Sequence, residues 1–206
     1  MLALALSLQS LELLKVWSRV HSIWTLELVR RQTGWFPPDR LFEVLLWSRL
    51  AASLALAWST HPALVWLLLL ITLLTAVRFG GSLNGGSDYM TMVVLSSLLV
   101  PWGRTYLAVQ LTLCYVVAGL VKIRLPEWRS GQALTRMTGL PAFLSLPMLL
   151  WECTFPLAWT SRPLLWTYLA IGTGFHLTNA RILGLNRFFW IWLAVYSRLI
   201  TNSPWV

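Results

Sequence analysis

The run Val65-Trp66-Leu67-Leu68-Leu69-Leu70-Ile71 lies within residues 62–79, a stretch whose first charge is Arg78. A helix of roughly 20 apolar residues matches the hydrocarbon thickness of a bilayer, where its backbone polar groups bond to one another. Further apolar stretches occupy residues 41–60, 89–102, 104–123, 142–160, 163–185 and 188–200. Charged residues make up only 11% of the chain, against about 25% in ordinary soluble domains. One aqueous core could not hide so much apolar surface. This excludes a secreted disulfide scaffold, a disordered protein and an ordinary nucleic-acid binder. The expected fold is all-α: a polytopic transmembrane helical bundle of about seven spans, with membrane lipid as a partner and no nucleic acid.

The charge pattern carries topology. The basic residues sit singly or in small groups between apolar runs, as membrane-flanking anchors do. With residues 41–60 as the first strong span, ten Lys and Arg fall on one side, from Arg30 through Lys122 to Arg187. Only Arg104, Arg162 and Arg198 fall on the other. The excess places the first group in the cytoplasm. Residues 1–40 form a separate N-terminal segment, and residues 41–206 form the bundle. Within the former, residues 8–28 place Leu13, Val16, Val20 and Ile23 at helical spacing, with Glu12, Lys15 and Arg19 on another stripe. That segment is an amphipathic surface helix or a weak first span, the surface helix being preferred on composition. Residues 1–10 lack the positive region and cleavage site of a signal peptide, so none is expected. Cys114 and Cys153 lie inside apolar runs and read as small buried hydrophobes.

Polar groups inside a bilayer are costly and raise a functional question by default. Four places stand out. Residues 79–89 hold four glycines and Asp88, either an anion-friendly loop or a turn whose Asp88 caps the next helix. Tyr115, Ala118, Gly119 and Lys122 share one helical face, so another helix can approach beside a hydroxyl and an amine. That lysine either snorkels to the headgroups or, desolvated, acts as a base. Glu152 falls mid-span, with Pro156 removing a backbone donor nearby, and it must be protonated, paired or next to a wet cavity. Gly172, Thr173, His176 and Asn179 make a small, polar stripe; a lone histidine without a second at i+4 argues against a metal site. The four places can meet in one pocket.

The same residues carry a resemblance. Leu83-Asn84-Gly85-Gly86 is followed closely by Asp88, and residues 115–122 read Tyr-x-x-Ala-Gly-Leu-x-Lys. Residues 128–134 read Trp-x-x-Gly-x-Ala-Leu, residues 152–156 read Glu-x-x-x-Pro, and Gly174-Phe175-His176-Leu177 precedes Gly184-Leu185. In this order they resemble the HTTM (horizontally transferred transmembrane domain) family, the membrane part of vitamin K-dependent gamma-carboxylase-like proteins. The resemblance covers residues 84–200 and only loosely the first 80.

The resemblance implies that Lys122 is a catalytic base toward a quinol, with Glu152 and His176 beside it. It also implies that Asn84, Asp88, Tyr115, Trp128 and Asn179 contact the substrate. A quinone or quinol is the implied small molecule. Small bacterial relatives that mature peptides imply a peptide substrate as the other option, in a bacterial cytoplasmic membrane. The carboxylases carry a loop histidine that residues 85–89 lack. They also carry a large extramembrane domain, for which a partner protein is the expected source. Their chemistry faces the lumen, whereas the charge count here puts Lys122 on the cytoplasmic side. Two functions from different classes therefore stand: a proton-abstracting membrane enzyme, and a non-catalytic factor that binds, matures or exports a hydrophobic peptide or lipid-soluble molecule. A packing subunit of a larger complex is a third.

Overall fold

A chain this rich in leucine folds mostly into helices where it is described. In the computed structural model the described residues are 1–20, 39–79 and 85–200. The main helices are α1 (Leu2–Val20), α2 (Asp39–Ala55), α3 (Pro62–Arg78), α4 (Gly85–Ser97) and α5 (Gly103–Arg124). The second half holds α6 (Pro126–Arg129), α7 (Gln132–Thr138), α8 (Ser145–Cys153), α9 (Arg162–Leu183) and α10 (Asn186–Ile200). No strand occurs among the described residues.

Local chemistry sets the ends. The His61 ring accepts the Ala63 N–H at 3.3 Å, and Pro62 follows it in the first turn of α3, where a missing amide costs nothing. The Ser161 hydroxyl accepts the Leu164 N–H at 3.4 Å to open α9. That helix closes at Gly184, whose φ of 69° is left-handed and suits glycine.

The apolar stretch 142–160 is not one helix. It is a 3-10 turn (Ala142–Leu144), the short α8, and a second 3-10 turn (Phe155–Trp159). Pro156 supplies the reason, since it cannot donate the bond that would continue α8. The pair Gln132–Thr138 and Ala142–Cys153 folds back through 113°.

Packing joins α1 to α2 and α10, α3 to α4, α5 to α8, and α9 to α10. The main core runs through Leu68, Val94, Leu111, Phe155 and Val195, all fully buried. A smaller core of Leu13, Trp17, Phe42, Leu46 and Phe79 closes the other end of α1 and α2, with Arg78 stacked on Trp17 and Phe42 and paired to Asp39 at 2.6 Å. Helix α1 begins at Leu2 and buries Leu6, Gln9, Ser10 and Leu13 completely, while the part of residues 8–28 beyond Val20 lies outside the described residues.

Among the described residues helix α5 alone is long and apolar enough by itself to cross a membrane, and the bent pair at α7–α8 meets the same test jointly. The others miss for physical reasons. Helix α3 carries no charge before Arg78 but has 17 residues. Glu12, Lys15 and Arg19 interrupt α1, and Gly172, Thr173, His176 and Asn179 dilute α9. Membrane association rests on α5, together with an outer surface that exposes Trp58, Trp66, Leu70, Val117 and Leu146.

Candidate functional site

Helix α5 comes closest to α8 at Gly119. A Cβ on Gly119 would stand 2.7 Å from Cys153 Sγ and 2.9 Å from Glu152 Cβ, so only glycine allows this approach. One turn further on, Lys122 Nζ forms an ion pair with Glu152 Oε1. The carboxylate is buried and the lysine side chain keeps 20% of its surface exposed. The ammonium also lies 5.2 Å from the Trp128 ring centroid and 5.9 Å from that of Phe175, two aromatic faces that attract a cation. The partner that a buried carboxylate requires is thus the lysine of the neighbouring helix.

His176 comes in from α9 and is 1% exposed. Its Nε2 lies 2.7 Å from Tyr115 Oη, which in turn meets the hydroxyl of Tyr196 on α10. Gly172 makes room for that tyrosine, since a Cβ there would fall 2.3 Å from Tyr196 Oη. The imidazole stacks on Trp192 with centroids 4.5 Å apart and meets the edge of Phe188 at 4.9 Å. The ring is therefore held by one stacked face, one edge contact and a hydrogen bond at one nitrogen.

These groups surround one cavity of about 300 Å³ between α5, α8, α9 and α10, at the low end of the volumes typical of small-molecule sites. Lys122, Glu152, His176, Tyr115, Trp128 and Asn179 all line it. Three buried atoms of lining residues make no hydrogen bond within the protein: Glu152 Oε2, His176 Nδ1 and Trp192 Nε1. Buried polar atoms are nearly always satisfied, so three around one small space mark where hydrogen-bonding capacity is held in reserve. Chemically, the arrangement offers a charged donor, a carboxylate acceptor, an imidazole and flat aromatic walls.

Asp88 stands apart. It does not line the cavity and does not cap its helix, because α4 already starts at Gly85. It pairs instead with Arg187 of α10, and both side chains are buried. The Gln9 amide donates to the Arg187 carbonyl at 2.9 Å and accepts from Arg49 at 3.1 Å and Thr91 at 3.2 Å. A substrate contact for Asp88 is thereby replaced by a structural one: a buried carboxylate takes the nearest guanidinium. Asn84 lies outside the described residues. The glycine loop's described end touches the cavity only from behind, with Gly86 against Phe188.

The sequence reading missed Phe188, Trp192 and Tyr196, three aromatic residues on successive turns of α10 that face the histidine. Their i, i+4, i+8 spacing was the available signal. Among the described residues no group of three or more His, Cys, Asp or Glu could hold a metal ion. No family model, curated protein or solved structure matches the chain.

Proposed function

We propose that this is a multi-pass membrane protein of the HTTM type, with about seven spans, whose cavity deprotonates a quinol-like substrate through Lys122. The observation that carries the reading is the gathering of Lys122, Glu152 and His176 from three helices around a single cavity that retains unspent hydrogen-bonding atoms. Flat walls from Trp128, Phe175 and Trp192 suit an aromatic ring, and a hydroxyl can reach the polar groups.

In the ion pair the lysine holds the proton. When that proton passes to Glu152, two charges in a low-dielectric site are exchanged for a neutral amine and a neutral carboxylic acid. The free amine of Lys122 then takes a proton from the bound hydroxyl, and the ammonium so formed stands beside the new anion. Tyr115 and Tyr196 position His176, whose free Nδ1 serves the second polar end of the substrate. The quinol supplies the reducing power, and the electrons it loses in air go to dioxygen.

The test uses protein in lipid nanodiscs. Mass analysis after mild extraction identifies a quinone-class molecule in the wild type. Aerobic oxidation of added reduced quinone is lost in Lys122→Ala, with an unchanged melting curve. A second reading rests on the closed Lys122–Glu152 pair, which can equally anchor a polar group of a bound peptide or lipid-soluble molecule without chemistry. In that case Lys122→Arg keeps function, because charge alone is required, and a copurified peptide replaces the quinone.

A further inference from the structure

Helix α5 carries a glutamine on the side away from the polar cavity. Gln110 stands six residues after Arg104 and twelve before Lys122. At about 1.5 Å per residue it lies about 9 Å inward of the first charge, within the hydrocarbon of any bilayer that the helix crosses. Its Oε1 accepts the hydroxyl of Tyr89 on α4 at 2.9 Å. The amide then keeps two N–H donors and one acceptor lone pair. Neither N–H finds an acceptor among the described residues. Its polar neighbours on α5 differ. Thr112 donates to the Ala108 carbonyl at 2.8 Å and accepts the Trp159 ring N–H at 2.7 Å, and Tyr115 is bonded to His176 and Tyr196.

The surface around Gln110 is apolar. Val109, Leu113, Val117 and Leu120 are all exposed, and their spacing of three and four residues sets them in one stripe along α5. Lipid tails cover such a stripe as well as another helix does, so these residues alone call for no partner. The glutamine does, because hydrocarbon offers its N–H groups no acceptor.

We propose that this face of α5 is a homodimer interface, in which the Gln110 amides of two protomers pair across a two-fold axis. The occupant follows from the chemistry left over. A primary amide with a free N–H and a free lone pair is complementary to itself. Each Nε2 donates to the other Oε1, which closes a ring of two hydrogen bonds while Tyr89 holds the remaining lone pair. A two-fold axis brings identical patches together, and a stripe spaced by three and four residues meshes with a copy of itself. A charged partner segment finds nothing to pair with here, since α5 has no charge between Arg104 and Lys122. The proposal requires only that α5 crosses a bilayer; it is independent of the chemistry in the polar cavity.

The experiment uses the full chain with one fluorophore at its N-terminus, in liposomes at a series of protein-to-lipid ratios. Photobleaching steps are counted per particle. Wild type passes from one step to two as its density rises. Gln110→Leu leaves the stripe unbroken and keeps the wild-type melting curve, yet needs about tenfold higher density for the same dimer fraction. Val117→Trp, which wedges the stripe, weakens the dimer as well. Leu70→Trp, on the exposed face of α3, leaves it unchanged. A wild type that is monomeric at every density overturns the proposal, as does a dimer indifferent to Gln110→Leu. If Gln110→Leu does not insert, the two tryptophan variants decide: an effect of Val117→Trp alone keeps the interface, and equal behaviour of the two ends it.

Discussion

Two buried polar groups sit on opposite flanks of α10, and they are built differently. On one flank Arg49, Arg187, Asp88, Gln9, Ser10 and Thr91 knit α1, α2, α4 and α10 together, with no member lining the cavity described above. Its arginines bond to an acid, an amide and a hydroxyl and fill the space with their own bulk. On the other flank Lys122, Glu152, His176, Tyr115 and Tyr196 make fewer contacts and leave a hollow. Burying charge costs free energy in both. In the first the return is cohesion between four helices; in the second it is a cavity lined by polar groups.

The sharpest way to break the first flank is Asp88→Ala. This leaves the Arg187 guanidinium buried without its carboxylate and costs about 3–5 kcal/mol, seen as a large fall in the melting temperature of the detergent-solubilised protein. A normal melting curve for Asp88→Ala would remove the structural role assigned to this pair. Tyr115→Phe comes next, because it takes a partner from both His176 and Tyr196; a loss of about 1–3 kcal/mol is expected, together with altered imidazole resonances in NMR.

Glu152→Gln sharpens the contrast. The amide keeps an acceptor for the partly exposed lysine, so stability changes by no more than about 1 kcal/mol, while quinol oxidation disappears because the proton has nowhere to go. Retained oxidation would rule out Glu152 as the proton's acceptor. Tyr89→Phe is the background measurement. Its exposed bond to Gln110, at 2.9 Å, sits away from both groups, and its loss should move stability by less than about 0.5 kcal/mol.

Much of the helical framework was legible from apolar runs. The stretch 104–123 became Gly103–Arg124, and 163–185 became Arg162–Leu183. Apolarity marks where a helix must be, but not whether it is continuous, so the break within 142–160 showed only as Pro156. The polar cavity was legible because Lys122, Glu152 and His176 are each anomalous in their own surroundings and so announce themselves one at a time. The pair Asp88–Arg187 was not, because its members are 99 positions apart and each has an ordinary explanation as a cap or a flanking anchor. Pairing is a property of the packed helices and has no signature in either local sequence. The aromatic wall of α10 was missed for a similar reason: aromatic residues suit lipid contact as well as a pocket lining.

The closeness of α5 and α8 at Gly119 has a consequence for how this region could change over evolutionary time. One methyl group at that position would wedge the two helices apart and lengthen the reach from ammonium to carboxylate, though neither charged residue had been altered. The tuning of the charged couple is therefore delegated to a residue with no side chain of its own, and a hydrogen atom sets the spacing.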